Sequence, residues 1–475
     1  MHSDARRPTT WRCVILIRHA RVFASGHTDV RSAGGRIVEC GHGLRARPDE
    51  DQIDAKGGWL LPGLHDHHLH LRSLAATAGS VRLGPPRLST AAELAAVLLQ
   101  ADSDLPAGAW IRGIGYHESV AGELDRWTLD RIIRDRPARV QHRSGALWTL
   151  NSRACAAVGL ADCVLPGVER DPAGRVTGRL WRMDSWLGSR IATVPNDLAA
   201  VSARAAALGV TGFTDATPSL RQSDIDDFAR SVADRTIQQH MHCMAPPGIT
   251  DPGIARFSLG PTKILLDDAM LPALDEFTDH IADLHAAGRS VAVHCVTRVQ
   301  LILTIAALDG AGTRDGDRIE HGAIIPAESL AWLRERGVPV VTQPHFLMER
   351  AAQYARDVPA VDRPDLWRLG SLLDARVGVA AGSDAPFGAA NPWHVVRAAV
   401  NRDPTSDVPE GISMHSALAL FHGRPERPAA SRVIAPGEVA DLTLLAVPPE
   451  ELTSALHDPP IAATIVGGWP IHLGS

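Results

Sequence analysis

From about residue 60 onward, short apolar runs alternate with amphipathic helical patterns, and a polar residue follows nearly every run; this rhythm restricts the fold more than any other feature. Residues 90–99 open with a capping-box pattern, Thr90 with Glu93, ahead of an apolar helical stripe. Residues 275–287 predict a helix closed by Gly288, followed at once by a strand over 291–293 and then His294. A helix over 301–308 precedes a strand around Ile319, one over 328–336 leads through Gly337 into a strand over 338–341, and 366–374 leads into 377–381. Such alternation implies a parallel sheet, either closed or doubly wound. The polar residues of interest fall just after the strands, at the carboxyl ends where a barrel carries its active site.

Both ends of the chain break the rhythm. Residues 14–23, 35–39, 440–445 and 463–467 are short β-like runs separated by Gly, Pro and Asp, which predict a small β-domain assembled from the two termini. The expected division is therefore 1–61 with 425–475 as a composite β-domain, and 62–424 as the α/β body.

Composition narrows the function. Charged residues make up 21% of the chain and the mean hydropathy is -0.04. No apolar run approaches the roughly 18 residues of a membrane span. Residues 1–18 carry arginines and one brief apolar run without a cleavage pattern, so a cytoplasmic location is expected. The net charge is -6 and the basic residues are dispersed among acids, which argues against nucleic acid and for small-molecule chemistry. Six cysteines show no CxxC pair and read as reduced thiols. Only Lys56 and Lys263 are lysines, so 46 of the 48 basic residues are arginine. A lysine retained at the end of an expected strand is a candidate for chemistry that arginine, always protonated, does not perform.

The run from Pro62 to His70 contains His68 and His70, which the period of a strand places on one face, where two imidazoles can share a metal ion. With 22 histidines the pattern also arises by chance, as His65/His67 and His240/His242 show; the latter pair reads as core or supporting histidines. The company decides in favour of His68 and His70. Lys263, His294, His321 and Asp384 each end or follow an expected strand, and imidazole and carboxylate are the donors of a borderline divalent ion.

The order of these motifs resembles the amidohydrolase superfamily, within it the amidohydrolase-3 type that includes N-acyl and N-formyl amide hydrolases. The resemblance runs from Gly35-Arg36-Ile37-Val38 through Pro62-Gly63-Leu64-His65-Asp66-His67-His68-Leu69-His70, Arg318-Ile319-Glu320-His321-Gly322 and Gly382-Ser383-Asp384-Ala385-Pro386 to residues 436–442. It implies a (β/α)8 TIM-like barrel with a small β-sandwich built from the terminal segments. It also implies a binuclear centre of two divalent ions, zinc by preference, with Lys263 carboxylated by CO2 so that its carbamate bridges them. His68 and His70 then bind one ion, His294 and His321 the other, and Asp384 touches the first and shuttles the proton. A metal-activated hydroxide would attack a carbon–nitrogen, amide-like bond. The rivals are a deaminase or cyclic-amide hydrolase on the same barrel, against which the bridging lysine speaks, and a non-enzymatic scaffold, which would have lost ligands. A homodimer is admitted as the assembly.

The chain departs from the family around the pocket. His294 is followed by Cys295-Val296-Thr297-Arg298 where relatives carry Ala-x-Gly-Asp, and Arg143-Ser144-Gly145-Ala146 stands where relatives have Asp-Gly-His after an arginine. Arg143, Arg298 and His345 are the candidate substrate contacts, because a guanidinium fork suits a carboxylate. Tyr116 and His117 are candidates for lining the mouth.

Overall fold

The computed structural model describes residues 14–23, 26–85, 87–191, 197–402, 410–453 and 459–474, so Cys13 and most of the 1–18 stretch lie outside the described residues. Two compact units emerge: residues 1–71 with 198–475, and residues 72–197. The sequence expectation of one continuous body over 62–424 contained no such division. The reason is local: strands and helices of 72–197 obey the same spacing rules as their neighbours, and only their pairing partners set them apart.

In the larger unit the parallel strands form two sheets. One runs in the order Phe257–Gly260, His240–Met244, Val210–Asp215, Leu64–Leu69. The other runs Thr262–Ile264, Val291–Cys295, Arg318–His321, Val340–Thr342, Val379–Ala381. Val291–Cys295, Val340–Thr342 and Val379–Ala381, buried almost throughout, read as apolar runs, which is why their positions were predictable. Backbone hydrogen bonds continue beyond the strands: the Ala245 N–H donates to the Pro261 carbonyl at 3.1 Å, the Asp384 N–H to the His68 carbonyl at 2.7 Å, and the His70 N–H to the Ala385 carbonyl at 2.8 Å. The last two bonds bring the end of Val379–Ala381 against the end of Leu64–Leu69, although these strands are far apart in the sequence. Gly382 permits that approach, since a Cβ there would stand 2.5 Å from the His68 nitrogen.

Helices lie between the strands where expected. Leu274–Ala286 and Ser329–Arg336 are found, the second ended by Gly337 at φ 66°. Arg298–Ala311 starts earlier than its apolar stripe, because Thr297 and Gln300 form a capping box that the sequence reading passed over.

The terminal segments share one sheet of eight strands, with Val14–Val22 and Trp59–Pro62 paired through Leu442–Leu445 to Ile461–Val466. Ile15, Ile17, Val30, Leu60, Leu442, Leu444 and Ile465 pack as its core. Both chain ends therefore contribute to one hydrophobic cluster.

The unit of residues 72–197 is built on a six-stranded sheet, Val168–Arg170, Val176–Trp181, Leu147–Leu150, Ala138–His142, Ile111–Tyr116, Val81–Arg82. Its helix Ala91–Asp104 carries the predicted Thr90/Glu93 capping box and lays Leu94 and Leu98 against Ile111 and Val140. Antiparallel pairing of Leu147–Leu150 with Ala138–His142 marks it as different from the parallel sheets. Among the described residues no two cysteines form a disulfide.

Candidate metal centre

Four imidazoles line up across the strand ends of the larger unit. Ring centroids are 5.6 Å apart for His70 and His68, 4.7 Å for His68 and His321, and 4.6 Å for His321 and His294. His68 and His70 come from Leu64–Leu69 and the residue after it, His294 from Val291–Cys295, and His321 from Arg318–His321. Asp384 follows Val379–Ala381, and its Oδ1 lies 3.3 Å from His70 Nε2 and 3.6 Å from His68 Nε2. Ligand atoms of His68, His70 and Asp384 all fall within 4.8 Å of one another, the spacing of donors around one ion. Two of these residues hold backbone conformations that side chains seldom adopt, His321 at φ 68° and Asp384 at φ 49°. Such strain persists only where the surroundings enforce it, and it concentrates at functional sites.

The partners of the ring nitrogens fix the tautomers. His68 Nδ1 meets Glu320 Oε2, and His321 Nδ1 meets Gln343 Oε1 at 2.8 Å. A carboxylate and an amide oxygen only accept, so each Nδ1 carries the proton and each Nε2 presents a lone pair. His70 Nδ1 is held by Thr217 Oγ1 at 3.2 Å, with Nε2 again toward Asp384. Among the described residues, His68 Nε2, Asp384 Oδ1 and Lys263 Nζ are buried without a hydrogen-bond partner. Buried polar atoms are seldom left so, and a group of donors aimed at one another is what a divalent cation satisfies. The residues present fit a metal.

Electrostatics agree. Burial pushes the His68 imidazolium down to about 4 and that of His321 to about 3, so both rings are neutral at pH 7, the form that binds metal. Burial opposes the ionisation of Asp384, yet the imidazoles of His70, His68 and His321 facing it hold its carboxyl well below the usual range. Burial likewise lowers the Lys263 ammonium, toward the neutral amine. Glu320 is fully buried between His68 and Arg318, whose Nε donates to Glu320 Oε1 at 2.6 Å.

The structure brings His68, His70, His294, His321 and Asp384 together, with Lys263 close enough to act electrostatically on His68 and His321. His345 opens the helix His345–Glu349 and is buried; among the described residues neither ring nitrogen makes a hydrogen bond, and the Asp384 charge acts on it. Arg298 is placed otherwise than expected. Its Nε donates to Asp362 at 2.7 Å and its Nη2 to Asp365 at 2.6 Å, so two carboxylates of the chain already occupy the fork proposed for substrate.

Arg143, Tyr116 and His117 belong to the unit of residues 72–197. Tyr116 donates its hydroxyl to the Gly122 carbonyl at 2.5 Å, a packing role, and the Arg143 N–H donates to the Tyr116 carbonyl at 2.8 Å. His117, Glu118 and His142 form a second cluster with metal-like spacing. Here the tautomers are reversed. His117 Nδ1 accepts from the Ser119 N–H and His142 Nδ1 from the Ser144 N–H, both at 3.1 Å, so each Nε2 carries a proton toward the Glu118 carboxylate. His142 Nε2 hydrogen-bonds to Glu118 at 3.1 Å and His117 Nε2 faces it at 3.4 Å, and protonated Nε2 atoms are not metal ligands.

Glu320, Gln343 and Thr217 were missed by sequence reasoning. Only Glu320 carried a signal, as the acid beside His321; its partner His68 is 252 positions away. His240 and His242, read as supporting histidines, contact Asp441 and Ser258.

Comparison with known proteins gives the same direction. A family model described as "Amidohydrolase family" matches residues 51–472. N-substituted formamide deformylase of Arthrobacter pascens is 25% identical, over 92% of this chain and 93% of its own. Among solved structures, an uncharacterised metal-dependent hydrolase from Pyrococcus horikoshii superposes with a TM-score of 0.73 at 16% identity, covering 92% of this chain and 98% of that one. A second, from Pyrococcus furiosus, gives 0.70 at 19% identity and covers 92% and 100%.

Proposed function

The chain belongs to the amidohydrolase family, hydrolases of carbon–nitrogen bonds, and from that premise we propose that its centre cleaves an amide-like bond of a small molecule with Asp384 as the proton shuttle. The observation that carries this reading is the shared tautomer of His68 and His321, each with Nδ1 held by an acceptor and Nε2 left as a ligand.

His68, His70 and Asp384 would hold one divalent ion, and His294 with His321 a second, zinc by the borderline character of the donors. Lys263 would carry the CO2-derived carbamate, its amine nitrogen bonding to the carbon of CO2 with loss of a proton, and would so supply a further anionic ligand to the ions. When bound, the ions supply Lewis acidity, lowering the pKa of a water and polarising the substrate carbonyl. Asp384 Oδ1 accepts a proton from the attacking water as its oxygen joins the carbonyl carbon, and returns that proton to the nitrogen as the carbon–nitrogen bond breaks. His345, buried beside this carboxylate, contacts the substrate.

The architecture belongs to the same reading. Phe257–Gly260 and Thr262–Ile264, interrupted only at Pro261, count as one strand, and the two parallel sheets then form a (β/α)8 barrel with the metal centre at its carboxyl end. The terminal strands are the small β-sandwich. Among the described residues no helix is long and apolar enough to cross a membrane.

The test is metal analysis of the purified protein joined to a screen of N-acyl, N-formyl and cyclic amides. Metal bound near two per chain with turnover of an acyclic amide is expected. Less than about one metal per chain after growth with zinc would contradict the proposal.

A further inference from the structure

Within the unit of residues 72–197, Arg112 and Arg139 are register partners on adjacent parallel strands, which puts both guanidiniums on one face of the sheet. Trp148, on the next strand, stands on the same face, and both arginines lie over its ring, with guanidinium carbons 5.5 and 5.0 Å from the centroid. Arg112 is anchored: its Nη1 donates to the Ala76 carbonyl at 2.9 Å and to Ser80 Oγ at 2.5 Å.

Arg139 is not. Its Nε is buried without a partner, and among the described residues its guanidinium donates no hydrogen bond at all. A guanidinium has five N–H donors, and a largely buried one is normally satisfied by acceptors. Asp184 is the acid that acts on both arginines, but its carboxylate is engaged with Trp148 Nε1 at 2.8 Å. Two cations and one anion leave an excess of one positive charge on this face of the sheet. Burial and mutual repulsion lower the Arg112 guanidinium to about 10, which shows that the pair is held together at a cost.

We propose that Arg139, with Arg112 and Trp148, forms a binding site for a small organic carboxylate within the unit of residues 72–197. The charge selects a monoanion, because one carboxylate balances the excess of one, whereas a phosphate dianion overshoots it. The free fork of Arg139 matches the two oxygens of a carboxylate, and the indole offers an apolar wall to the rest of the ligand.

Benzoate, acetate and inorganic phosphate, titrated calorimetrically into the full-length protein as purified, test this. Benzoate should bind most tightly, acetate more weakly and phosphate least. Arg139→Gln should weaken benzoate by about ten- to a hundred-fold, the loss of a charged hydrogen-bonding pair. Arg139→Lys, which keeps the charge and loses the fork, should fall between, and it serves if the glutamine variant does not fold. Benzoate bound at the metal centre would be insensitive to Arg139, so failure of the two readings is distinguishable. No benzoate binding by the unmodified protein, equal binding by both variants, or phosphate binding as tightly as benzoate would overturn the proposal.

Discussion

Glu320 lies between a cation and an imidazole, and its two oxygens divide the work: Oε1 takes the Arg318 Nε–H, Oε2 the His68 Nδ1–H. Buried carboxylates of this kind orient a ligand and raise its basicity. Glu320→Ala should weaken metal binding about 10- to 100-fold, measured by competition with a chromophoric chelator; unchanged affinity would remove Glu320 from the account. Asp384→Asn is expected to behave differently, keeping most of its metal while turnover falls by about 10²- to 10⁴-fold. Full activity in that variant would sink the shuttle. At this scale the sequence was most informative where chemistry is written locally. His68, His70, His294, His321 and Asp384 lie at or just after strand ends and were legible as a set, not one by one, and Lys263 stood out because lysine is otherwise almost absent. Glu320, Gln343 and Thr217 gain their meaning from contacts across the fold, which spacing does not encode. Arg298 fails for a related reason: the sequence shows a guanidinium near a strand end, and only the fold shows Asp362 and Asp365 holding it.

Strand ends are the elements on which the centre depends. Asp384 and His68 are neighbours because the loop after Val379–Ala381 hydrogen-bonds to the end of Leu64–Leu69, and Gly382 is the residue that lets the two backbones meet. A Cβ at Gly382 would lie 2.5 Å from His68 N and 2.8 Å from His68 O, backbone atoms that cannot rotate away. Gly382→Ala is therefore expected to cost about 1–3 kcal/mol in urea unfolding, together with a loss of bound metal; a variant with unaltered stability and metal content would show that the approach is looser than described. Those helices and parallel strands that periodicity and caps predicted lie within a few residues of the observed ones. Gly26–Ala33, Asp51–Asp54 and Trp469–Leu473, in contrast, were not anticipated. The first two are polar strands, stabilised by pairing in the terminal sheet more than by their own pattern.

At the scale of the molecule, buried neutral histidines tie stability to pH. His242 and His422 are pushed from 6.5 down to about 3, in both cases chiefly by burial. Unfolding restores their ordinary affinity for protons, so between 6.5 and about 3 the unfolded chain binds protons that the folded one refuses. Stability is then fully present above about pH 6.5 and declines as the pH falls, by up to about 1.4 kcal/mol per pH unit for each such group. His242→Gln should flatten the slope of unfolding free energy between pH 7.5 and 5.5; a slope identical to that of the unmodified protein would exclude this histidine as a contributor. The separate unit of residues 72–197 is what the sequence concealed at this scale, since its boundaries carry no shift in composition.

The account as a whole rests on where a metal binds, and diffraction at the zinc absorption edge from crystals of the zinc-loaded protein measures that directly. The prediction is anomalous density next to the Nε2 atoms of His68 and His70 and the carboxylate of Asp384, with a second peak toward His294 and His321. Density at His117, Glu118 and His142 instead, or none at either place, would contradict it.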